Sequence, residues 1–198
     1  MKVTGALAWS PNVNMSQAEI DDFLSGRWVA RVATIGADGY PVVVPLWYYW
    51  DGQCLYFSLT TGRLTYKNLV RDRRCSAAID MDDRPLMGFR HNLAKAVIVV
   101  GDARLTRAGS GERVTIEAGP FAGRYLAEEA LGRITRRYSL SERDGAIGFN
   151  TEAFSDLLAT DEARESELYA QNDERVLVKV TPKRVRAWDF SKAPIGYE

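Results

Sequence analysis

The sequence predicts a mainly β fold with helices, in which antiparallel strands form a β-barrel with an anion site on its flank. Two Asp-Gly turns, Asp38-Gly39 and Asp51-Gly52, separate runs of β-branched and aromatic residues, which is a strong hairpin signal. The segment Gly62–Leu69 follows the last of these runs and reads as the start of a basic helix. We therefore expect about six antiparallel strands with one helical elaboration.

A short helix is predicted before the strands. Ser16-Gln17-Ala18-Glu19 is a capping-box pattern, and the helix should end near Gly26. Its apolar positions, Ile20 and Phe23-Leu24, are few. We therefore expect the helix to pack across one end of the barrel rather than to form a core of its own.

Three consecutive antiparallel strands are predicted between about residues 28 and 60, from the runs Trp28–Ile35, Pro41–Trp50 and Cys54–Leu59. Pro45 lies inside the second run, where it would remove a ladder hydrogen bond. An edge, a bulge or an opening is therefore expected there. An opening beside an anion-binding helix would suit a flat aromatic ligand.

The helix after the third strand has the features of an anion site. The chain turns at Thr60-Thr61-Gly62 and begins a helix at Arg63, whose first-turn amide groups and dipole attract phosphate. Arg63 and Lys67 lie four residues apart and share one face, and Asn68 adds a neutral donor. The alternative interpretation is a basic helix face exposed to solvent.

Further strands are predicted in the second half of the chain. Cys75–Asp80 reads as a fourth strand, and residues 94–105 return to strand character. The continuous apolar run Val97–Val100 indicates burial on both faces, either in the barrel or between subunits. Val176, Val178 and Val180 alternate with other residues before Pro182, which predicts two strands that close the chain.

A helical pair is predicted between Ser110 and Gln171, where the hydrophobic pattern changes from period two to a helical period. The second helix would span Thr151–Tyr169, after a loop at residues 142–148. This segment is the expected source of substrate specificity. The apolar face of the first helix would be formed by Phe121, Tyr125, Leu131, Ile134 and Tyr138.

Composition narrows the classes of function. The 198 residues contain 26 basic and 26 acidic side chains, which argues against a general nucleic-acid binder, so any anion site must be local. No apolar run is long enough to cross a membrane, and no secretory signal is evident. Cys54 and Cys75 are expected to be buried free thiols. We therefore expect a cytoplasmic protein with no membrane or nucleic-acid partner.

The sequence lacks the residues that several common kinds of catalytic site require. His91 is the single histidine, so a site built on several imidazoles is excluded, and no Gly-x-Ser-x-Gly elbow accompanies it. His91 reads as a surface residue, with a loop donor over a cofactor as the alternative. Asp80, Asp82 and Asp83 read as a solvated turn rather than a metal site. No dinucleotide or triphosphate motif occurs.

Aromatic residues are concentrated on two of the predicted strands. They fill a barrel and a subunit interface in one interpretation, and one or two of them flank a flat ring in the other. We expect packing for most of them. The group comprises Trp47, Tyr48, Tyr49, Trp50, Tyr56 and Phe57.

The order of these motifs resembles the pyridoxamine 5′-phosphate oxidase-related family, the flavin-binding split barrels, which includes deazaflavin-dependent relatives. The resemblance rests on Pro41–Trp47 between two Asp-Gly turns, then Leu55–Thr60, Gly62-Arg63 and Lys67-Asn68-Leu69. It is dense from about residue 28 to 107 and resumes at residues 176–190, where Arg186–Phe190 is similar to a closing strand of the family.

The resemblance implies a single split-barrel domain over residues 1–198, with the barrel at about 27–107 and 174–190 and a helical insertion at about 110–171. It implies a homodimer with FMN at the subunit interface. The backbone of Val42, Val43, Val44, Pro45, Leu46 and Trp47 would lie along the flavin ring, Phe57 and Ser58 near the ribityl chain, and Arg63, Lys67 and Asn68 at the phosphate.

The implied activity is transfer of hydride or electrons from FMN to a small organic substrate, with no catalytic side chain assigned. One alternative is a reductase that uses an 8-hydroxy-5-deazaflavin coenzyme, whose longer acidic tail would be held by Arg71, Arg73 and Arg74. A non-catalytic flavin-binding or sensing module is the second. Vitamin B6 oxidation is not favoured, because Arg184–Trp188 is only a loose analogue of the substrate segment in true pyridoxamine phosphate oxidases.

Overall fold

The computed structural model describes residues 13–81, 94–139 and 174–192. Within these ranges seven strands form one sheet, two more form a hairpin, and three α-helices pack against them. A short 3-10 turn, Phe190–Lys192, follows the last strand. In chain order the elements are α1 (Gln17–Ser25), β1 (Ala30–Ile35), β2 (Pro41–Leu46), β3 (Tyr49–Trp50), β4 (Leu55–Thr60), α2 (Leu64–Arg71), β5 (Arg74–Met81), β6 (Lys95–Arg107), β7 (Arg113–Ile116), β8 (Gly123–Leu126), α3 (Ala127–Ser139) and β9 (Arg175–Asp189).

The large sheet is antiparallel and curls on itself. Its strand order is β2-β1-β5-β6-β9-β4-β3, so β2 and β3 occupy opposite edges although only Trp47 and Tyr48 separate them in the chain. A flat sheet of this width would hold its edges about 29 Å apart. Two residues cannot bridge that distance at about 3.6 Å per residue. The sheet therefore curls until its edges approach, which confirms the predicted split barrel.

The barrel core is formed by the inner face of this sheet. Alternate residues of β4 illustrate the pattern, because Leu55, Phe57 and Leu59 point inward while Ser58 and Thr60 point to the opposite face. On β6, Val97 and Val99 are buried and the intervening Ile98 and Val100 are only half-buried. Burial of the outer face by a second subunit thus remains a prediction.

The N-terminal helix packs across one end of the barrel, as its sequence predicts. Ser16 and Glu19 form the expected capping box, and Gly26 is the C-cap residue. Trp50 Nε1 donates a hydrogen bond to Asp21 Oδ1 at 2.8 Å. The Tyr48 hydroxyl donates to backbone carbonyls at the end of the helix, lying 3.0 Å from that of Leu24. These bonds fix α1 against the start of β3.

A second cluster of buried residues lies outside the barrel, where α3 and the β7–β8 hairpin cover β4 and β9. The carboxylate of Asp51, which is 2% exposed, joins the two parts. It accepts the Tyr56 hydroxyl at 2.7 Å and the Glu117 amide at 2.9 Å through Oδ2, and the Cys54 amide at 2.6 Å through Oδ1. The pKa of Tyr56 is raised, mainly because the hydroxyl is buried and secondly because it donates a hydrogen bond to Asp51.

The predicted helix that begins after Ser110 is wrong in its first half. Residues 113–126 form the β7–β8 hairpin instead, and Tyr125 belongs to β8. Val114 and Ile116 alternate with exposed residues, and Gly119 adopts a φ of 79° in the turn. The alternation that marks β7 covers only four residues, so the helical spacing of the apolar residues that follow it dominated the prediction. The predicted loop at 142–148 and helix at 151–169 lie outside the described residues.

Two other strand predictions need correction. The run 41–50 is divided into β2 and β3, and Cys54 precedes β4 rather than lying within it. The predicted pair of closing strands is a single strand, β9, that continues through Pro182. A register shift between β6 and β9 accommodates Pro182 within the strand. Val100 pairs with Arg184 but Gly101 pairs with Pro182, so Lys183 is the extra residue of a bulge.

Gly101 permits this close approach of the two strands. A Cβ placed on it would lie 2.2 Å from the Thr181 carbonyl oxygen, so a larger residue would force the strands apart. Cys75, on the neighbouring strand, is buried and free, and so is Cys54, as expected. Burial raises the pKa of the Cys75 thiol to about 12, so it remains protonated near neutral pH.

Candidate functional site

A crevice of about 380 Å³ lies where the barrel is split. This volume is at the lower end of the range of ligand pockets, about 300–1,000 Å³. Five parts of the chain meet there: the segment before β1, the end of β2 with the residue that follows it, the middle of β4, the start of β9, and the middle of α3. The lining residues are Val29, Pro45, Leu46, Trp47, Ser58, Ile134, Thr135 and Arg175.

One wall of the crevice is an edge strand. Within the described sheet, β2 is hydrogen-bonded on one side only, to β1, so its other side presents backbone donors and acceptors. Pro45 pairs with Arg31 and has no N–H to contribute, which is tolerated at an edge. The prediction that Pro45 marks an edge or an opening is confirmed. A flat ligand placed against this edge would find both polar backbone groups and apolar side chains.

The opposite, polar side of the crevice combines a hydroxyl and a guanidinium. On the paired strands β4 and β9, Ser58 is directly opposite Leu177, which places Arg175 diagonally across from it. Arg175 Nη1 donates to Ser58 Oγ at 3.3 Å, and both residues are half-buried. The serine hydroxyl therefore helps to orient the guanidinium at the crevice.

The entrance of α2 has open amide groups and two cations. Its N-cap residue, Arg63, makes no capping hydrogen bond with its side chain, and no acidic residue lies in the first turn. The first amide groups of a helix have no acceptor within it, so they point toward solvent or a ligand. Arg63 and Lys67 are both exposed. This arrangement fits a phosphate group, as the sequence predicts, although neither residue lines the crevice of the single chain.

Asn68 anchors α2 to the barrel. Its side chain is 0% exposed, and its Nδ2 donates to Thr34 Oγ1 at 3.1 Å. Its Oδ1 accepts a hydrogen bond from Arg71 Nη2 at 3.3 Å. In this position Asn68 holds the helix entrance in place rather than presenting a donor at its surface.

The structure brings together some of the predicted site residues and separates others. Pro45, Leu46, Trp47 and Ser58 line the crevice, while Val42, Val43 and Val44 extend along the same edge strand. The Phe57 side chain is 0% exposed and lies in the barrel core, because it points to the opposite face of β4 from Ser58. Of the aromatic group, only Trp47 lines the crevice, and the other five members are buried in packing, as expected for most of them.

Sequence reasoning missed four residues of the crevice, namely Val29, Ile134, Thr135 and Arg175. Arg175 and Ser58 are 117 residues apart in the chain, so their contact depends on a strand pairing that no local signal reveals. Ile134 was expected on an apolar helix face, and α3 places it at the crevice. The described ranges contain no cluster of metal-ligating side chains and no helix long and apolar enough to span a membrane. His91, Asp82 and Asp83 lie outside those ranges.

Comparisons with known proteins agree with this geometry. Residues 16–143 match the family model described as pyridoxamine 5′-phosphate oxidase, which covers more than half of the chain. A comparison with curated protein sequences found no match.

Three solved structures illustrate the likeness of the fold. A conserved hypothetical protein from Mycobacterium tuberculosis is 23% identical with a TM-score of 0.61, covering 96% of this chain and 94% of its own. A flavocytochrome from Azotobacter vinelandii is 15% identical with a TM-score of 0.55, covering 93% and 72%. An F420 reductase is 20% identical with a TM-score of 0.50, covering 83% and 94%. At these identities the likeness shows the fold alone.

Proposed function

Because the chain belongs to the pyridoxamine 5′-phosphate oxidase family, we propose that it binds FMN and transfers hydride or electrons to a small organic substrate. The observation that carries the proposal is the order of groups around the barrel split. An edge strand with apolar neighbours borders the crevice, a hydroxyl lies beside it on β4, and the uncapped entrance of α2 follows β4 with two cations. This order matches a flat ring, a polyol and a phosphate.

The chain itself suggests the path of the polyol. Ser58 and Thr60 lie on the same face of β4, and Thr60 is the last residue of that strand before the turn into α2. The turn is held by a hydrogen bond from the Arg63 amide to the Thr60 carbonyl at 3.1 Å. A polyol that follows this face would run from the crevice toward the helix entrance, where Arg63 and Lys67 would bind the phosphate.

The roles of the remaining residues follow from their positions. The backbone from Val42 to Trp47 would orient the ring, and Leu46 and Trp47 would exclude water from it. Asn68 would act on the phosphate indirectly, by holding α2 against Thr34. The bound flavin would supply the redox chemistry, so the protein's part is binding, orientation and electrostatics. No nucleophilic side chain is required.

We also propose that two copies of the chain complete the site. Large apolar side chains are exposed around the crevice and on α2, and Val43 reaches 58% exposure. Covering such residues with a second copy would remove them from water and deepen a crevice that is small for a complete flavin. The exposed apolar residues in this region are Val29, Val43, Leu64 and Val70.

The direct test is the absorbance spectrum and mass of any small molecule that copurifies with the protein. We expect a yellow protein that releases FMN on denaturation, elutes as a dimer, and is reduced by a nicotinamide donor and reoxidised by a substrate with turnover. Failure of the protein to bind added FMN would contradict the proposal. Tight binding without turnover would indicate a flavin-binding or sensing module instead.

A deazaflavin coenzyme is the second candidate, favoured by the structural likeness to an F420 reductase. Three arginines near the end of α2 were expected to hold its acidic tail. Arg74 is held by Asp72 at 2.6 Å and Arg71 bonds to Asn68, so Arg73 is the most available of the three. A colourless protein that binds the deazaflavin more tightly than FMN would favour this candidate.

A further inference from the structure

We propose that the backbone of Val43 recognises an imide on the ligand of the crevice, that is, an N–H group between two carbonyls at the end of a flat ring. The recognising groups are the amide and the carbonyl of Val43, which lie on the open edge of β2. This role rests on the proposed function, since a flavin ring ends in an imide. It assigns to one residue what the proposed function assigns to the edge strand as a whole.

The pairing of β1 with β2 determines which backbone groups reach the open edge. Opposite residues of an antiparallel pair alternate between pairs that exchange hydrogen bonds and pairs that exchange none. The Gly36 amide donates to the Tyr40 carbonyl at 2.7 Å, so that pair is of the bonding kind. Counted from there along an uninterrupted register, Pro41, Val43 and Pro45 occupy the pairs that exchange none. The backbone groups of these three residues therefore point away from β1.

Two of the three outward-facing residues cannot donate a hydrogen bond. Pro41 and Pro45 have no N–H, so each contributes only a carbonyl, and neither costs the ladder a bond at its position. Val43 contributes both an N–H and a carbonyl. Within the part of the chain that the structure describes, these two Val43 groups have no hydrogen-bond partner. The open edge of β2 thus presents three acceptors and one donor, the Val43 amide.

This pattern argues against a protein strand as the occupant of the edge. A strand added to β2 would need an N–H from every second residue, and two of the three outward positions have none. Proline on an edge strand is one of the means by which proteins prevent such pairing. A second copy of the chain would then cover the side chains of β2 and not its backbone edge. A small molecule with one acceptor beside one donor needs only Val43.

An imide carries this combination on adjacent atoms. Its carbonyl can accept from the Val43 amide while its N–H donates to the Val43 carbonyl, because the two groups of one outward-facing residue lie side by side. Pro45 lines the crevice, and Val43 lies about 7 Å farther along the same strand. A tricyclic ring with its apolar end beside Leu46 and Ile134 can therefore place its imide end at Val43.

Two tricyclic probes of similar shape test the inference, namely 1,8-naphthalimide and N-methyl-1,8-naphthalimide, which lacks the imide N–H. Their affinities for the purified, flavin-free, full-length protein would be measured by isothermal titration calorimetry. We expect the wild type to bind naphthalimide about threefold to tenfold more tightly than its N-methyl form, the effect of one hydrogen bond between neutral groups. FMN and 3-methyl-FMN, measured in parallel, should show the same preference.

A pair of variants separates the amide of Val43 from its side chain. Val43→Pro removes the edge donor and leaves the ladder intact, so affinity for naphthalimide and for FMN should fall about threefold to tenfold. Val43→Ala is the matched control, because it shortens the same side chain and keeps the amide, and it should bind both compounds nearly as the wild type does. Chemical denaturation checks that both variants fold. Should Val43→Pro fold poorly, the two pairs of compounds still test the inference on the wild type.

Several outcomes would overturn the inference. Equal affinities within both pairs of compounds would do so, as would an unchanged affinity in Val43→Pro or an equal loss in Val43→Ala, and the proposed function would stand in each case if FMN binds. A protein that binds no FMN but prefers naphthalimide to its N-methyl form would support imide recognition and contradict the proposed function. Absence of binding by all four compounds would contradict both.

Discussion

The N-terminal ends of α1 and α2 differ in whether the chain itself satisfies their open amide groups. Both helices present open amide groups and a positive dipole end. At α1 the chain supplies its own partners: Ser16 Oγ accepts from the Glu19 amide at 3.4 Å, and Glu19 Oε2 accepts from the Ser16 amide at 2.7 Å. At α2 the N-cap is Arg63, with no capping bond from its side chain and no acid in the first turn.

The difference shows which entrance is available to a ligand. Glu19 supplies the negative charge at α1, and Lys192 pairs with that charge at 2.6 Å, so the α1 entrance is already satisfied. At α2 the nearby charges are positive, which a helix designed only for stability would avoid. Such an entrance becomes favourable when an anion from outside the chain completes it. Substitutions at the two helix entrances test this contrast.

The largest effect is expected from replacing both cations of α2. In Arg63→Ala/Lys67→Ala, affinity for FMN should fall by about 100-fold or more, since each charge-assisted bond contributes about 1.5–3 kcal/mol. Binding of riboflavin, which lacks the phosphate, should change little. Fluorescence titration of the flavin-free protein with each compound measures both affinities.

A double variant of two other exposed cations provides the control for that experiment. Arg104 and Lys183 lie on β6 and β9 rather than on α2 and pair with Glu112 and Asp102, so Arg104→Ala/Lys183→Ala should bind FMN as the wild type does. Full FMN affinity in the α2 variant, or an equal loss for riboflavin, would show that the phosphate is bound elsewhere.

The second-largest effect is expected from removing Asn68, whose hydrogen bonds hold α2 against the barrel. Asn68→Ala removes a buried donor to Thr34 and an acceptor for Arg71, so the free energy of unfolding should fall by about 1–3 kcal/mol. Chemical denaturation of the flavin-free protein measures it, and Lys67→Ala, on the exposed face of the same helix, should leave stability nearly unchanged. Reduced FMN affinity without loss of stability would instead place Asn68 at the phosphate.

Removing the cap of α1 should have a smaller effect, limited to stability. Ser16→Ala is expected to lower the free energy of unfolding by about 1 kcal/mol, and Ser16→Asp should restore most of it because Asp is also a good N-cap residue. FMN affinity should be unchanged in both variants. A loss of FMN binding in Ser16→Ala would show that the two entrances are coupled, contrary to the comparison.

The features predicted from sequence are those encoded by neighbouring residues. The capping box at Ser16 and Glu19 lies within four residues, and the edge at Pro45 follows from its missing N–H. The β7–β8 hairpin was missed because its turn depends on Gly119 at positive φ, a feature that apolar spacing does not report. Arg175 was missed because only the pairing of β4 with β9 brings it beside Ser58.

The smallest effect is a difference in pH dependence between the two entrances. The ion pair with Lys192, assisted by hydrogen bonds with Ser16, lowers the pKa of Glu19 from 4.5 to about 2. Because the folded state holds this proton less tightly than the unfolded state, the stabilisation by Glu19 is complete above about pH 4.5 and is lost as the pH falls toward 2. The thermal unfolding midpoints of the wild type and Glu19→Gln should therefore differ at pH 7 and converge only as the pH approaches 2.

FMN binding at α2 should respond at a higher pH, because a phosphate monoester loses its second charge below about pH 6. Affinity should weaken between about pH 7 and 5 in the wild type, and much less in Arg63→Ala/Lys67→Ala, which lacks the cations that sense this charge. Riboflavin titrations over the same range control for other ionisations. Suppose that FMN affinity stays constant down to pH 5 while the stabilisation by Glu19 is lost at lower pH. Glu19 would then stabilise the entrance of α1, but the entrance of α2 would be an ordinary basic surface that does not bind the phosphate.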